Sequence, residues 1–244
     1  MTSSAFTFDQ FADDYDAALS EGISISGEDK YFFAEGRITW LAGVLKELAF
    51  ETQAILDFGC GIGSAIPYLI KILNPHAVLG VDPSGKSLSV AQENNDSERV
   101  RFRQLDEYVP HEEMDLAYCN GVFHHIPVEE RLRSASYVYR SLKKNGIFAF
   151  WENNPWNLGA RYCMWKNPFD KDAKAITARQ AKRLLRASGF KVLRTDYLFI
   201  FPRTLRWLRP LEPLFSRVPL GAQYQILCKK DSLSQTIRIA PSRC

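Results

Sequence analysis

The sequence lacks any long apolar run. Stretches such as Gly146–Trp151 fall far short of the roughly 20 residues that a membrane-spanning helix needs. The opening segment has no basic residue before Lys30, while Asp9, Asp13, Asp14 and Asp16 crowd its start, so a secretory leader is not expected. Five cysteines are scattered without a CxxC pair, and four histidines form no zinc spacing. That pattern argues against a disulfide scaffold and sets the expectation of free thiols, a cytoplasmic setting and no metal site. Charge of one sign is also missing. A formal net charge of +3 over 244 residues argues against a dedicated nucleic-acid binder. Internal repeats and low-complexity tracts are absent.

What is present is an ordinary globular composition, 46% hydrophobic and 24% charged, which excludes wholesale disorder. The charge is polarised along the chain. Acids dominate residues 1–30. Bases dominate residues 200–244, with Arg203, Arg206, Arg209 and Arg217 close together. Two solvated surfaces of opposite sign account for this. A basic edge that meets an anionic partner is the sharper alternative.

Apolar periodicity divides the chain. A short helix is expected around Phe8–Tyr15 and a longer one over Tyr31–Phe50. From Ala54 the rhythm becomes strand–helix alternation. Strands are expected at 54–58, 77–81, 100–105, 114–119 and 147–151. Helices are expected at 62–73, 84–94 and 128–144, with Gly146 as a stop signal. Such alternation means a mostly parallel sheet covered on both faces, an α/β doubly wound fold. Residues 152–176 are polar and aromatic without a clear period. A helix at 177–188, capped by Thr177, and strands at 191–201 and 222–229 complete the pattern.

The chemistry is concentrated at the first strand-to-helix turn, Asp57-Phe-Gly-Cys-Gly-Ile-Gly63. Gly59, Gly61 and Gly63, with Cys60 between them, permit a sharp turn and close approach of a ligand to the backbone. A pyrophosphate fingerprint needs a third glycine where Ser64 stands, which counts against a nicotinamide-dependent oxidoreductase. Asp57 suits a ligand with a cationic ammonium group. Asp82, followed by Pro83, ends the second strand where a carboxylate can accept ribose hydroxyls. Asp106 follows the third strand, placed for an adenine amino group.

These residues resemble the seven-stranded, class I S-adenosylmethionine-dependent methyltransferases, in motif detail from about Ala54 to Trp151. The resemblance implies a seven-stranded sheet ending in an antiparallel hairpin, with S-adenosylmethionine as cofactor. It implies that the turn at 57–63 wraps the methionine part of the cofactor, that Asp82 and Pro83 lie by the ribose, and that Asp106 lies by the adenine. The segment 114–127, with Asn120 and His124-His125, is similar to the family's stretch beside the methyl group. Phe8–Asp16, with Tyr15, resembles the family's N-terminal helix that closes over the cofactor. Two departures are visible: Leu105 replaces a common glycine, and the loop 106–110 is short.

His125, then His124 and Glu152, are the candidates for a general base, since an imidazole titrates near neutrality. Ring packing in the loop is the plainer role for either histidine. Trp151, Asn153, Trp156, Tyr162 and Trp165 are the expected acceptor-binding set, an aromatic lid over an apolar acceptor; packing under an irregular loop is the alternative. The segment 203–217 mixes Trp207, Leu211, Leu214 and Phe215 with four arginines. It reads as a surface hairpin or as a peripheral membrane contact.

The expected organisation is a helical cover at 1–50, a methyltransferase domain at 51–229 with lid 152–176 and insert 203–221, and a loose tail at 230–244. The expected function is methyl transfer to a small or lipid-like acceptor, first at oxygen, with nitrogen or carbon as alternatives. The segment Asn120-Gly-Val-Phe123 is not the Asn/Asp-Pro-Pro-aromatic motif of enzymes that methylate exocyclic DNA amines. A catalytically inactive binding protein on the same fold is the remaining rival; the intact glycine turn counts against it.

Overall fold

The computed structural model describes residues 26–167, 170 and 173–231. The expected helix at Phe8–Tyr15, including the cofactor-binding candidate Tyr15, lies outside the described residues, as does the tail beyond residue 231.

Seven strands form one sheet in the order β3-β2-β1-β4-β5-β7-β6. They are β1 (Ala54–Phe58), β2 (Ala77–Asp82), β3 (Val100–Gln104), β4 (Met114–Asn120), β5 (Leu142–Asn153), β6 (Phe190–Leu198) and β7 (Gln223–Lys230). The first five are parallel, and β7 inserts antiparallel between β5 and β6. This is the seven-stranded sheet with an antiparallel C-terminal pair that the resemblance implies. A parallel interior must be covered on both faces, and two separate apolar clusters do so.

Helix α1 (Lys30–Glu47) covers one face with Ile38, Leu41 and Leu45, which pack on Ile55, Tyr118 and Trp151. Asp29 starts it by accepting the Phe32 N–H at 2.8 Å, one of the donors a helix start leaves unpaired. Helix α2 (Ile66–Tyr68) runs on as a π turn, Leu69–Leu73, on the same face. Helices α3 (Gly85–Asn94), α4 (Arg131–Ser141), α5 (Leu158–Lys166) and α6 (Ala178–Ala187) follow. A 3-10 segment, Arg203–Leu211, leads into the short α7 (Glu212–Phe215). Helices α4 and α6 cover the second face, over Phe148, Phe150 and Ile226. Thr177 and Gln180 cap α6 reciprocally. Each fully buried Leu or Phe in these clusters contributes about 1.5–3 kcal/mol.

Several boundaries differ from the sequence expectation. The α4 helix ends at Ser141, and β5 begins at Leu142 rather than Ile147. Met114 pairs with Leu142 and Leu116 with Ile147, so residues 143–146 bulge out of the ladder. Asn145 holds a φ of 67° there, and Gly146 ends this bulge instead of the helix. The glycine turn continues to Ser64 through Gly63 N–H to Cys60 carbonyl and Ile66 N–H to Gly63 carbonyl bonds, which delays α2 to Ile66. The supposedly aperiodic lid contains α5, capped by the Asn157 side chain on the Ala160 N–H at 2.9 Å.

Candidate active site

The glycine turn leaves β1 with three positive φ angles, 71° at Gly59, 52° at Gly61 and 77° at Gly63. A Cβ on Gly59 would lie 2.4 Å from Val122 Cγ2, so any side chain here must displace Val122 as well as hold a positive φ. A Cβ on Gly61 would meet nothing within 4 Å among the described residues, so this part of the turn faces open ground. Asp82 ties the turn down. Its Oδ2 accepts the Gly61 N–H and its Oδ1 accepts the Ser84 N–H, both at 2.9 Å. Leu105 N–H bonds the Asp82 carbonyl at 3.1 Å, which brings the end of β3 beside β2 and leaves Asp106 exposed after it. Cys60 Sγ packs under the turn against Gly80, and burial pushes its thiol well above the usual range.

Asp57 is the anomaly of this end. Its carboxylate is buried, and Oδ2 has no hydrogen-bond partner among the described residues. Burial and the neighbouring Asp82 raise its pKa from 3.8 to about 7, against the pull of Arg37. An orphaned buried carboxylate is costly. Asn120 Oδ1, at the end of β4, is likewise buried and unpartnered among the described residues.

Arg37 escaped the sequence reading. It comes from α1, is buried, and binds the Tyr118 hydroxyl at 3.0 Å and Gln223 Oε1 at 2.9 Å. The signal was available: Arg37 sits on the helix face of Ala34, Ile38 and Leu41, where a cation needs a reason. An unmet carboxylate, an unmet amide carbonyl and a buried guanidinium suit a ligand that carries both an ammonium and a carboxylate.

Beside this end lies a cavity of about 440 Å³, lined by Arg37, Asn120, His124, His125 and Asn153 among others. Asn153 Oδ1 accepts from the Gln223 side chain at 3.1 Å. The turn after β4 carries both histidines, their ring centroids 4.0 Å apart. Glu152 Oε1 accepts the Phe123 N–H at 2.7 Å and the His124 N–H at 3.3 Å, while Oε2 sits 2.6 Å from His124 Nδ1. Asp170 Oδ1 lies 3.2 Å from His124 Nε2 and 3.4 Å from His125 Nε2. Burial lowers the His124 pKa, but the two carboxylates override it and hold it up at about 10. Burial and the adjacent His124 push His125 down to about 3.

This geometry reassigns two expected bases. Glu152 spends both oxygens on the turn and on His124. His124 lies between two carboxylates and holds its proton. His125 lines the cavity, as Asn153 does.

The aromatic lid is corrected more fully. Trp151 is buried in the core under α1 and does not line the cavity. Alternation along β5 sends Ile147, Ala149 and Trp151 to one face and Phe148 and Phe150 to the other. Helix α5 turns Ala160, Cys163, Met164 and Asn167 to the cavity, the i, i+3, i+4, i+7 stripe of one helix face. Tyr162 and Trp165 point outward, and Trp156 before the helix is also exposed. Further wall comes from Phe32 and Phe33 of α1 and the residues just before it, from residues 199–202, Arg209 and residues 222–223.

Comparisons with known proteins agree with this fold. Residues 55–146 match the family model described as a methyltransferase domain. A trans-aconitate 2-methyltransferase of Rhodopseudomonas palustris is 26% identical over 97 residues, 40% of this chain and 37% of that protein. A probable S-adenosylmethionine-dependent methyltransferase of Saccharomyces cerevisiae is 29% identical over 110 residues, 41% of this chain and 35% of that protein. The matches thus span little more than a third of these relatives' lengths. Among solved structures, a possible histamine N-methyltransferase from Thermotoga maritima superposes with a TM-score of 0.58 at 19% identity, covering 92% of this chain and 98% of that one. A methyltransferase from Mesorhizobium loti gives a TM-score of 0.54 at 20% identity, covering 74% and 91%. Residues 55–146 thus match a methyltransferase domain, and the solved structures share the fold of the whole described sheet.

Proposed function

We propose that this protein transfers a methyl group from S-adenosylmethionine to an oxygen of a small or lipid-like acceptor. The observation that carries the reading is Asp57, a buried carboxylate without a partner among the described residues, set beside Arg37 at the foot of the glycine turn. When bound, S-adenosylmethionine supplies a methyl group already activated on a sulfonium. The protein's task is to bind and align. Asp57 and Asn120 would accept from the ammonium of the methionine part, and Arg37 would meet its carboxylate. Asp82, at the end of β2 beside the glycine turn, would accept from the ribose hydroxyls. Asp106 would take the adenine amino group.

The cavity beside this end would hold the acceptor. Phe32, Phe33, Ala160, Met164, Phe199 and Ile200 give it apolar wall, while Asn153 and His125 offer polar contacts. A lipid-like acceptor is favoured by the outer surface. Helix α5 and the 203–217 insert both wall the cavity and both turn apolar residues to solvent, with Trp165 78%, Trp207 72% and Leu214 76% exposed. Asn157 joins the two by donating to the Leu220 carbonyl at 2.8 Å. Exposed Arg203, Arg206 and Arg217 lie along the same insert, so an anionic bilayer is the surface it would meet. Among the described residues no helix is long and apolar enough to cross a membrane.

The test incubates the protein with methyl-labelled S-adenosylmethionine and separate polar and lipid extracts, followed by mass spectrometry. Label in a lipid-phase ether or ester supports the full reading. Label on nitrogen or carbon keeps methyl transfer and removes the oxygen assignment. No label, together with no calorimetric binding of S-adenosylhomocysteine, overturns it.

A further inference from the structure

We propose that His124, His125 and Asp170 form a binding site for a divalent transition-metal ion in the wall of the acceptor cavity. Three potential ligand atoms, one from each residue, lie within 4.8 Å of one another. Asp170 Oδ1 is 3.2 Å from His124 Nε2 and 3.4 Å from His125 Nε2. Nitrogen and oxygen ligands about 2.0–2.2 Å from a common zinc-like ion stand roughly 3.0–3.5 Å from one another, so both spacings match the edge of a coordination shell.

The surroundings are those of a ligand set held in place. Glu152 Oε2, 2.6 Å from His124 Nδ1, fixes the ring so that Nε2 faces Asp170; a bound ion would take the place of the Nε2 proton that the metal-free ring holds, and that proton would leave to solvent. A carboxylate behind a histidine in this way is the usual support of a metal-bound imidazole. The same Glu152 accepts the backbone N–H groups of Phe123 and His124, so turn and ring are set by one buried side chain. The opposite flank is fastened too. Lys174 N–H donates to the His124 carbonyl at 2.9 Å, and the Asn167 amide donates to Asp170 Oδ2 at 3.1 Å, which leaves Oδ1 toward the imidazoles. All three residues line the cavity, so further coordination positions open toward an acceptor.

Two imidazoles and one carboxylate suit zinc, iron(II) or cobalt(II); magnesium and calcium prefer oxygen alone. An ion here would take an acceptor hydroxyl oxygen as a ligand and ease loss of its proton to water. That role rests on the methyl-transfer reading above; the binding site itself does not.

The full-length protein, stripped with a chelator and returned to metal-free buffer, is titrated with Zn²⁺ by calorimetry and with Co²⁺ by visible absorption. The expected result is one ion per chain, with cobalt bands typical of nitrogen and oxygen ligands. Asp170→Asn and His125→Gln should each weaken binding at least about 100-fold while thermal melts show a folded protein. His124 is more deeply buried, and its loss risks the fold, so it is left intact. No saturable binding, or equal binding in both variants, overturns the site. S-adenosylhomocysteine binding is measured on the same samples. Metal without nucleoside binding upholds the site and overturns the methyl-transfer reading, and nucleoside without metal does the reverse.

Discussion

The two ends of the site are built in different ways. The cofactor end is local: Asp57, the three glycines and Asp82 lie within 26 consecutive residues, and backbone conformation sets most of its shape. The acceptor end is assembled from α1, the turn after β4, helix α5 and the segment after β6. There, side chains from distant parts of the chain hold one another. The first end keeps an unmet buried charge in readiness for a ligand, whereas in the second every carboxylate around the histidines is already engaged. One end therefore sacrifices stability for binding, and the other gains rigidity from its polar network.

The largest effect expected from this contrast is at Asp57. Its folded-state pKa of about 7 lies above the ordinary 3.8. Between those values the folded protein holds a proton that the unfolded chain has lost. The stability it contributes is full below about pH 4 and is lost as pH rises toward 7. At about 1.4 kcal/mol per pH unit, Asp57→Asn should stabilise the ligand-free protein by up to about 4 kcal/mol at pH 8. Denaturant titrations at pH 4 and pH 8 check this, and an equal change at both would contradict the shift. The same variant should lose about 100-fold in S-adenosylhomocysteine affinity, the scale of a charged hydrogen bond. Wild-type affinity should also fall as pH drops below about 7, because the ammonium needs the ionised carboxylate.

Next is Gly59→Ala. The left-handed conformation costs an L-residue about 1–2 kcal/mol, and the added Cβ also meets Val122 at 2.4 Å. A loss of about 2–4 kcal/mol is expected in a urea melt. A loss under about 1 kcal/mol would mean that Val122 yields easily and that the turn is softer than its packing implies.

The same contrast explains what could be read from the sequence. The strand positions and the parallel, doubly wound sheet followed from strand–helix alternation, and the ligand turn from Asp57–Gly63, because those signals are local. The end of α4 did not, since the Lys143–Gly146 bulge depends on pairing with β4. The inward face of α5 was missed for another reason. Aromatic residues drew attention to Trp156, Tyr162 and Trp165, yet the small and flexible Ala160, Cys163 and Met164 leave room for a cavity. Asp170 was invisible as a site residue because only tertiary contacts bring it to the histidines, and Arg37 showed only as a cation on an apolar helix face.

A smaller effect is expected on the outer surface. Basic residues near an anionic bilayer contribute about 1 kcal/mol each at low salt, so Arg206→Gln should lower binding to anionic liposomes about fivefold. Rising salt should erase most of the difference. Sedimentation that is equal on neutral and anionic vesicles would leave the insert as a plain surface hairpin.

The smallest effect is the most discriminating for the lid. Trp165 is 78% exposed and touches Tyr162 on the outside of α5, with ring centroids 5.9 Å apart. An exposed side chain of this kind contributes little to folding, so Trp165→Ser should shift stability by no more than about 0.5 kcal/mol. It should leave KM for a water-soluble acceptor unchanged, because the ring does not line the cavity. Met164, one residue earlier, does line it. Met164→Trp should raise that KM by filling the space while leaving liposome binding alone, and Trp165→Ser should weaken liposome binding while leaving the KM alone. Adjacent residues with opposite consequences would establish that α5 has an acceptor face and a surface face. If Trp165→Ser instead raised KM with no change on vesicles, the aromatic side would be the one that closes over the acceptor, and the orientation of the helix would have to be reversed.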